Sequence, residues 1–405
     1  MKTRQEPFSI NKWDFYSFEG NTSDKISESA PMKTNYEASC FNDLMACLRL
    51  IYNVYSKYEA PAINSLWYRG HSNSAYNLLP TLIREYYAHN CKSSLPDYQR
   101  KMLEYFLTAT RNSPELGNAY FFGNMQIENL SEMQHYHIPT NLLDWSEDPM
   151  VGLYFACFKK DDTLTAKEAA VFVLNPYVYN AVRGELIRYF IGNISVVNGD
   201  NVQRDNYLTA PYLSENLIPN FRAAYNLAAG YYTNYIFGPD HYHSLKDTNY
   251  HYDSNPLQNP SKYRNSKSPL FPIAVLIPKG NPHMVAQSGT FMAYNLCEMP
   301  IKEPNMQTKD AKHLYPHIDL EKIQEFYFSD AFQTYVKGGN LAQQLERTNS
   351  AKVIMDATPF LFKITLNVEA VKEYAEQVKI MGKRWDTIYP DLVNIGKNLA
   401  NYIRS

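Results

Sequence analysis

The chain has 405 residues, with 39 Lys and Arg against 41 Asp and Glu and a formal net charge of −2. Its 45% hydrophobic and 14% aromatic content supports a sizeable core and excludes a disordered chain. Near-balanced charge argues against a bulk electrostatic nucleic-acid binder, while leaving room for a local basic cleft. The 34 Tyr, set against only 20% charged residues, suit a chain rich in loops and pockets.

At roughly 100–200 residues per domain, the length allows two domains or one large domain with extensions. Residues 1–38 are polar and read as an N-terminal extension, with one folded domain over 39–405. Met1 to Phe15 carries Lys2, Arg4, Glu6, Lys12 and Asp14 without an apolar stretch, so no signal peptide is expected. The longest apolar run, Met150 to Phe158, is far short of the ~20 residues of a membrane span, and no membrane partner is expected. Cys40, Cys47, Cys91, Cys157 and Cys297 form no CxxC pair, so neither a disulfide framework nor a zinc site is indicated and a cytoplasmic location is expected.

From Phe41 to Tyr58 apolar residues recur at helical spacing, and Leu66 to Gly70 reads as a short strand. Helices follow at Tyr98 to Arg111 and Ile127 to His137, the second ended by Pro139. The segment Gln134 to Trp145 reads as a fixed connector. Asp148-Pro149 then starts a helix over Met150 to Phe158, since Pro at the first helical position forfeits a donor that has no intrahelical partner there. Strands are expected at Ala170 to Leu174, Ile273 to Ile277, Thr290 to Tyr294 and Leu361 to Leu366. Further helices are expected at Arg222 to Tyr232, at Val368 to Met381 with Gly382 as its stop, and at Pro390 to Ile403. Residues 239–269 read as a long loop insertion. Short strands among helices, with no Gly-rich phosphate loop, point to an α+β fold rather than a Rossmann or P-loop enzyme.

Four constellations could carry chemistry. Arg69, in an apolar run and directly before Gly70, offers a planar fork of donors suited to phosphate or ribose oxygens; the alternative is a strand-end Arg paired with a core carboxylate. Gln134 to Trp145 concentrates hydrogen-bonding tips, and Asp144 within Leu142-Leu143-Asp144-Trp145 needs an Arg (Arg69 or Arg84) or backbone amides to satisfy it. Gln287, Ser288 and Gly289 fit either a turn presenting an amide to a cleft or a strand bulge. Asp240, His241, His243, His251 and Asp253 are metal-ligand types, although such residues in a Tyr/Asn-rich stretch also serve as plain loop residues.

Trp67-Tyr68-Arg69-Gly70-His71 and Leu79-Pro80-Thr81-Leu82-Ile83-Arg84 resemble the "FRGQ … LPSLxR" opening of the FRG-domain family. Gln134-His135-Tyr136, Pro139-Thr140, Leu142-Leu143-Asp144-Trp145, Pro149 and Tyr154-Phe155-Ala156 resemble its "QHYGxPTxLLDW … P … YFA" signature. Ala170 to Pro176, Gln287 to Phe291 and Ile388 to Leu392 resemble the elements that follow. The layout is also similar, more distantly, to ADP-ribosyltransferases, which implies a split mixed β-sheet flanked by helices with Arg69 and Gln287 on facing strands. It further implies NAD as the substrate-cofactor, a macromolecular acceptor (protein or nucleic acid), and a role as a bacterial toxin or antiphage effector.

Carried over residue by residue, the resemblance makes Arg69, Thr140 and Gln287 catalytic. It makes Arg69, Gly70, His71, Gln134, His135, Tyr136 and Asp144 cofactor-binding, with no metal. His71 stands where the family often has Gln, Asn141 where it often has Arg, and Gln287 where a transferase would carry a carboxylate. A non-catalytic nucleotide- or nucleic-acid-sensing module is therefore the competing expectation.

Overall fold

The computed structural model describes residues 32–58, 64–89, 95–110, 127–159, 163–165, 167–186, 271–276, 282–294, 318–338 and 349–390. The expected helices at 222–232 and 390–403, the loop at 239–269 and the histidine cluster lie outside these residues, apart from Pro390.

Seven strands form one mixed sheet: β1 (Asn35–Ala38), β2 (Trp67–His71), β3 (Leu142–Ser146), β4 (Ala169–Leu174), β5 (Ile273–Val275), β6 (Gly289–Ala293) and β7 (Leu361–Leu366). Their spatial order is β1-β7-β4-β2-β3-β6-β5. The β1–β7 pair is parallel and the others are antiparallel. β4 is buried along its whole length and pairs with β2 from Trp67↔Leu174 to His71↔Ala170, as befits a central strand of Ala, Val, Phe and Leu. β2 and β3, by contrast, pair only at Tyr68↔Ser146.

One face of the sheet is covered by three helices, α1 (Phe41–Ser56), α5 (Pro149–Cys157) and α10 (Val371–Ile380); between α1 and α5 in sequence lie α2 (Thr81–Ala88), α3 (Leu95–Thr110) and α4 (Ile127–His135). Asp148 caps α5 by accepting from the Met150 amide at 2.8 Å, with Pro149 at the first helical position. The helix is apolar all round and buries Val151, Leu153, Tyr154, Ala156 and Cys157, because it is enclosed between β2 and α10. α10 ends where Gly382 adopts φ +78: its amide bonds to the Lys379 carbonyl and the Lys383 amide to Val378, each at 3.0 Å.

The remaining helices are α6 (Pro282–Ala286), α7 (Leu320–Tyr327), α8 (Asp330–Lys337), α9 (Asn349–Met355) and α11 (Trp385–Ile388). A further helical stretch covers 176–186, where Asn180 both donates to and accepts from Ala274, closing off β5. No helix among the described residues is long and apolar enough to cross a membrane.

Three expectations change. Residues 35–38, assigned by polarity to the extension, form β1 within the sheet. The connector from Gln134 to Trp145 contains β3, a central strand paired to β6 from Leu142↔Ala293 to Ser146↔Gly289. Gln287 is not on a strand; it occupies the turn between α6 and β6.

Gly70 also has a different purpose from the one expected. A Cβ there would lie 1.9 Å from the Gly152 carbonyl oxygen and 2.4 Å from the Ala156 nitrogen. Its bare backbone therefore lets α5 close onto β2, and the room it makes is taken by the helix rather than by a ligand. Because the obstructing atoms are backbone, Gly70→Ala is expected to cost about 2–4 kcal/mol. Gly152→Ala, whose Cβ meets the Tyr68 Cβ at 2.9 Å, is expected to cost less. Denaturant unfolding of both variants measures the difference.

Candidate functional site

On β2, alternation sends Tyr68 and Gly70 toward α5 and Arg69 and His71 to the other face. Where β2 and β3 no longer pair, the Arg69 side chain spans them: Nη1 donates to the Asp144 main-chain carbonyl at 2.5 Å and lies 3.8 Å from its Oδ2. A side chain thus replaces the ladder bond that the parted strands do not make. Arg69 Nε donates to His71 Nε2 at 3.0 Å. Nη2 has no protein partner among the described residues.

His71 is 6% exposed, packed edge-on against Phe172 at 5.1 Å and Tyr76 at 6.2 Å. Burial, followed by the positive charge of Arg69 and more weakly of Arg84 and Lys363, holds its pKa down at about 3. The ring is therefore neutral, with Nε2 accepting from Arg69 and the proton on Nδ1. Its task is to aim the guanidinium.

Asp144 lies beside this guanidinium with 57% of its side chain exposed, whereas Arg69 is 18% exposed. Crowding by protein raises the Asp144 pKa, opposed by Arg69 and by the Gln134 amide. Asp144 is thus closely packed yet reached by solvent, at the recess that the parting of β2 and β3 leaves between the strands. Gln134 Nε2 donates to Asp144 Oδ1. Thr140 Oγ1 donates to Gln134 Oε1 at 2.7 Å, which leaves the amide nitrogen facing Asp144. Thr140 is buried, and its carbonyl accepts from Leu82 at 3.2 Å, tying α2 to the same corner. On α2, Arg84 donates to the Leu79 carbonyl at 3.2 Å and to Thr81 Oγ1 at 2.8 Å.

Residues 64–164 match the family model of the FRG domain. The chain carries an FRG domain. No curated protein and no solved structure matches it. The FRG span supplies Arg69, His71, Gln134, Thr140 and Asp144, which meet at the parted strands, and Arg84 on the adjoining α2.

The other expected site residues lie elsewhere. Gly70 faces α5. The His135 ring packs against His283 at 4.4 Å and Tyr136 at 4.9 Å, and Tyr136 is half-exposed beside Phe106. Gln287 lies beyond the FRG span, and its Nε2 donates to the Ile388 carbonyl in α11 at 3.2 Å. Tyr389, next to Ile388, packs on Phe155 of α5, so this amide is turned toward the helical layer and away from Arg69. Arg84 is readable from the sequence as a cation for Asp144, whereas Lys363 reaches this face only through the pairing of β7 with β4. Among the described residues no group of three or more His, Cys, Asp or Glu could hold a metal.

Two residues beyond α4, His137 has a φ of 62 in the left-handed region and stands at the Gly of the family signature. His137→Gly is expected to stabilise the protein by about 0.5–1 kcal/mol, read as a raised Tm. His71 makes a separate prediction. Its folded pKa of about 3 lies below the unfolded value of roughly 6.5, so its contribution is full above that value and is lost as pH falls toward 3. Stability should fall by roughly 1.4 kcal/mol per pH unit from this group alone. His71→Gln, which keeps an acceptor for Arg69 but does not titrate, should lose that slope in unfolding measured between pH 7 and 4.5.

Proposed function

We propose that the parted strands hold a phosphate-bearing nucleotide of the NAD type, and that the protein is an ADP-ribosyltransferase-like effector acting on a protein or nucleic-acid acceptor. The observation that supports this most is Arg69 itself. It is fixed at Nε and Nη1, has Nη2 to spare, and stands beside a solvent-reachable carboxylate. A guanidinium held in place by the protein loses little freedom when it binds phosphate. Asp144 Oδ2 carries only the 3.8 Å ion-pair contact, which leaves it able to accept from a sugar hydroxyl.

In transfer, the bond between ribose C1′ and the nicotinamide nitrogen breaks, and its electron pair leaves with neutral nicotinamide. The positive charge developing at C1′ is stabilised by the Asp144 carboxylate. An acceptor oxygen or nitrogen then bonds to C1′ and releases its proton to solvent. A sensing module that binds without turnover is the second reading. It is favoured by the engagement of Gln287 with Ile388, which removes that amide from the recess.

NAD labelled in its ADP-ribose part, incubated with the protein and with total protein and RNA, tests both readings. Wild type is expected to transfer label. Arg69→Ala is expected to weaken NAD binding by about 1.5–3 kcal/mol, ten- to a hundredfold or slightly more. Arg69→Lys should rescue little, because it provides a point charge without the fork. Unchanged NAD affinity in both variants, with folding verified by thermal denaturation, rejects the nucleotide site. Binding without turnover selects the sensor.

A further inference from the structure

We infer that Arg84 is a second phosphate arm, so that the site takes a diphosphate rather than a monophosphate; this rests on the nucleotide reading above. Arg84 closes the Leu79–Arg84 motif but has no catalytic or cofactor-binding role among the expected site residues. It is an exposed side chain on α2, yet its guanidinium is pinned at two points, through Nε to the Leu79 carbonyl and through Nη2 to Thr81 Oγ1. Nη1 has no partner and no carboxylate forms an ion pair with Arg84 among the described residues. An ordinary surface Arg is mobile, whereas this one is held in place before anything binds.

What it is held beside matters more. α2 is tied to the Arg69 corner by the Leu82 amide on the Thr140 carbonyl, and Thr140 in turn holds Gln134 against Asp144. Arg84, two residues after Leu82 on this helix, thereby stands on the element that borders the Arg69 corner, and each guanidinium is pinned by its own protein contacts. Among the described residues Asp144 is the single carboxylate that forms an ion pair with either cation. Juxtaposed cations cost free energy in the free protein and regain it when an anion bridges them. Each cation offers one unused nitrogen, Arg69 Nη2 and Arg84 Nη1, which matches one phosphate group per arm.

The test is calorimetric titration of the full chain with ADP, AMP and inorganic pyrophosphate, for wild type, Arg84→Gln, Arg69→Ala and Lys363→Gln. Lys363 lies on the same face, with Nζ on the Ser74 carbonyl, and controls for the loss of one positive charge. Arg84→Gln should weaken ADP and pyrophosphate about ten- to a hundredfold, AMP by less than about threefold, and Lys363→Gln should weaken none of them by more than about threefold. An equal loss of ADP and AMP, or no loss of either, overturns the diphosphate assignment. If Arg69→Ala loses both nucleotides while Arg84→Gln binds like wild type, the nucleotide site stands without its second arm. Absence of any binding by wild type overturns both.

Discussion

The bond from Arg69 Nη1 to the Asp144 carbonyl organises the centre of this molecule, because it stands where a strand ladder has stopped. A central sheet position left without hydrogen bonds is costly, so the acceptor must be met by something, and here it is met by a charged side chain. The same guanidinium that closes the gap in the sheet is therefore held where β2 and β3 part. His71, neutral through burial, keeps it from rotating away, and Gln134 and Thr140 hold Asp144 from the other side. One side chain thus completes the sheet and sets the charge of the corner.

The two faces of β2 divide the labour. Tyr68 and Gly70 meet α5 so closely that Gly70 and Gly152 must both lack side chains. Arg69 and His71 occupy the opposite face, with Phe172 of β4 and Lys363 of β7 completing the row across the sheet. The apolar side anchors the strand against a helix that is buried all round. On the other side α2 is joined to Thr140 through the Leu82 amide, and α4 is joined to Asp144 of β3 through the Gln134 side chain.

What was legible in the sequence followed local chemistry. Asp148-Pro149 marks the start of α5, Gly382 marks the end of α10, and the apolar runs of β4 and β7 declare themselves. β3 was hidden because its burial does not alternate: Leu142 and Leu143 are both inside and Asp144 is out, so the period-two signal is missing. β1 is four residues long and mostly polar, and only its partner, more than 300 residues away, makes it a strand. α7 and α8 were missed although Asp319 and Ser329 cap them in the ordinary way. At the site, the need of Asp144 for a cation was readable from its apolar setting. The neutrality of His71 was not, since it depends on burial by Phe172 and Tyr76 and on Arg84 and Lys363 as well as on the neighbouring Arg69. Gly70 stands among the cofactor-binding residues that the resemblance implies, but which neighbour uses the space beside it is a tertiary fact.

The parallel pairing of β1 with β7 bears on how the chain is made. Tyr36 lies against Ile364, so β1 cannot be seated until a strand more than 300 residues further along has left the ribosome. At roughly 5–20 residues per second, β1 waits on the order of 15–65 s for its partner. During that interval the edge of β4 that β7 will cover is absent or bare, and a loop of more than 300 residues between β1 and β7 has to close before the sheet is complete. Completion of the sheet is thus set to come late, at the border where β1 and β7 meet.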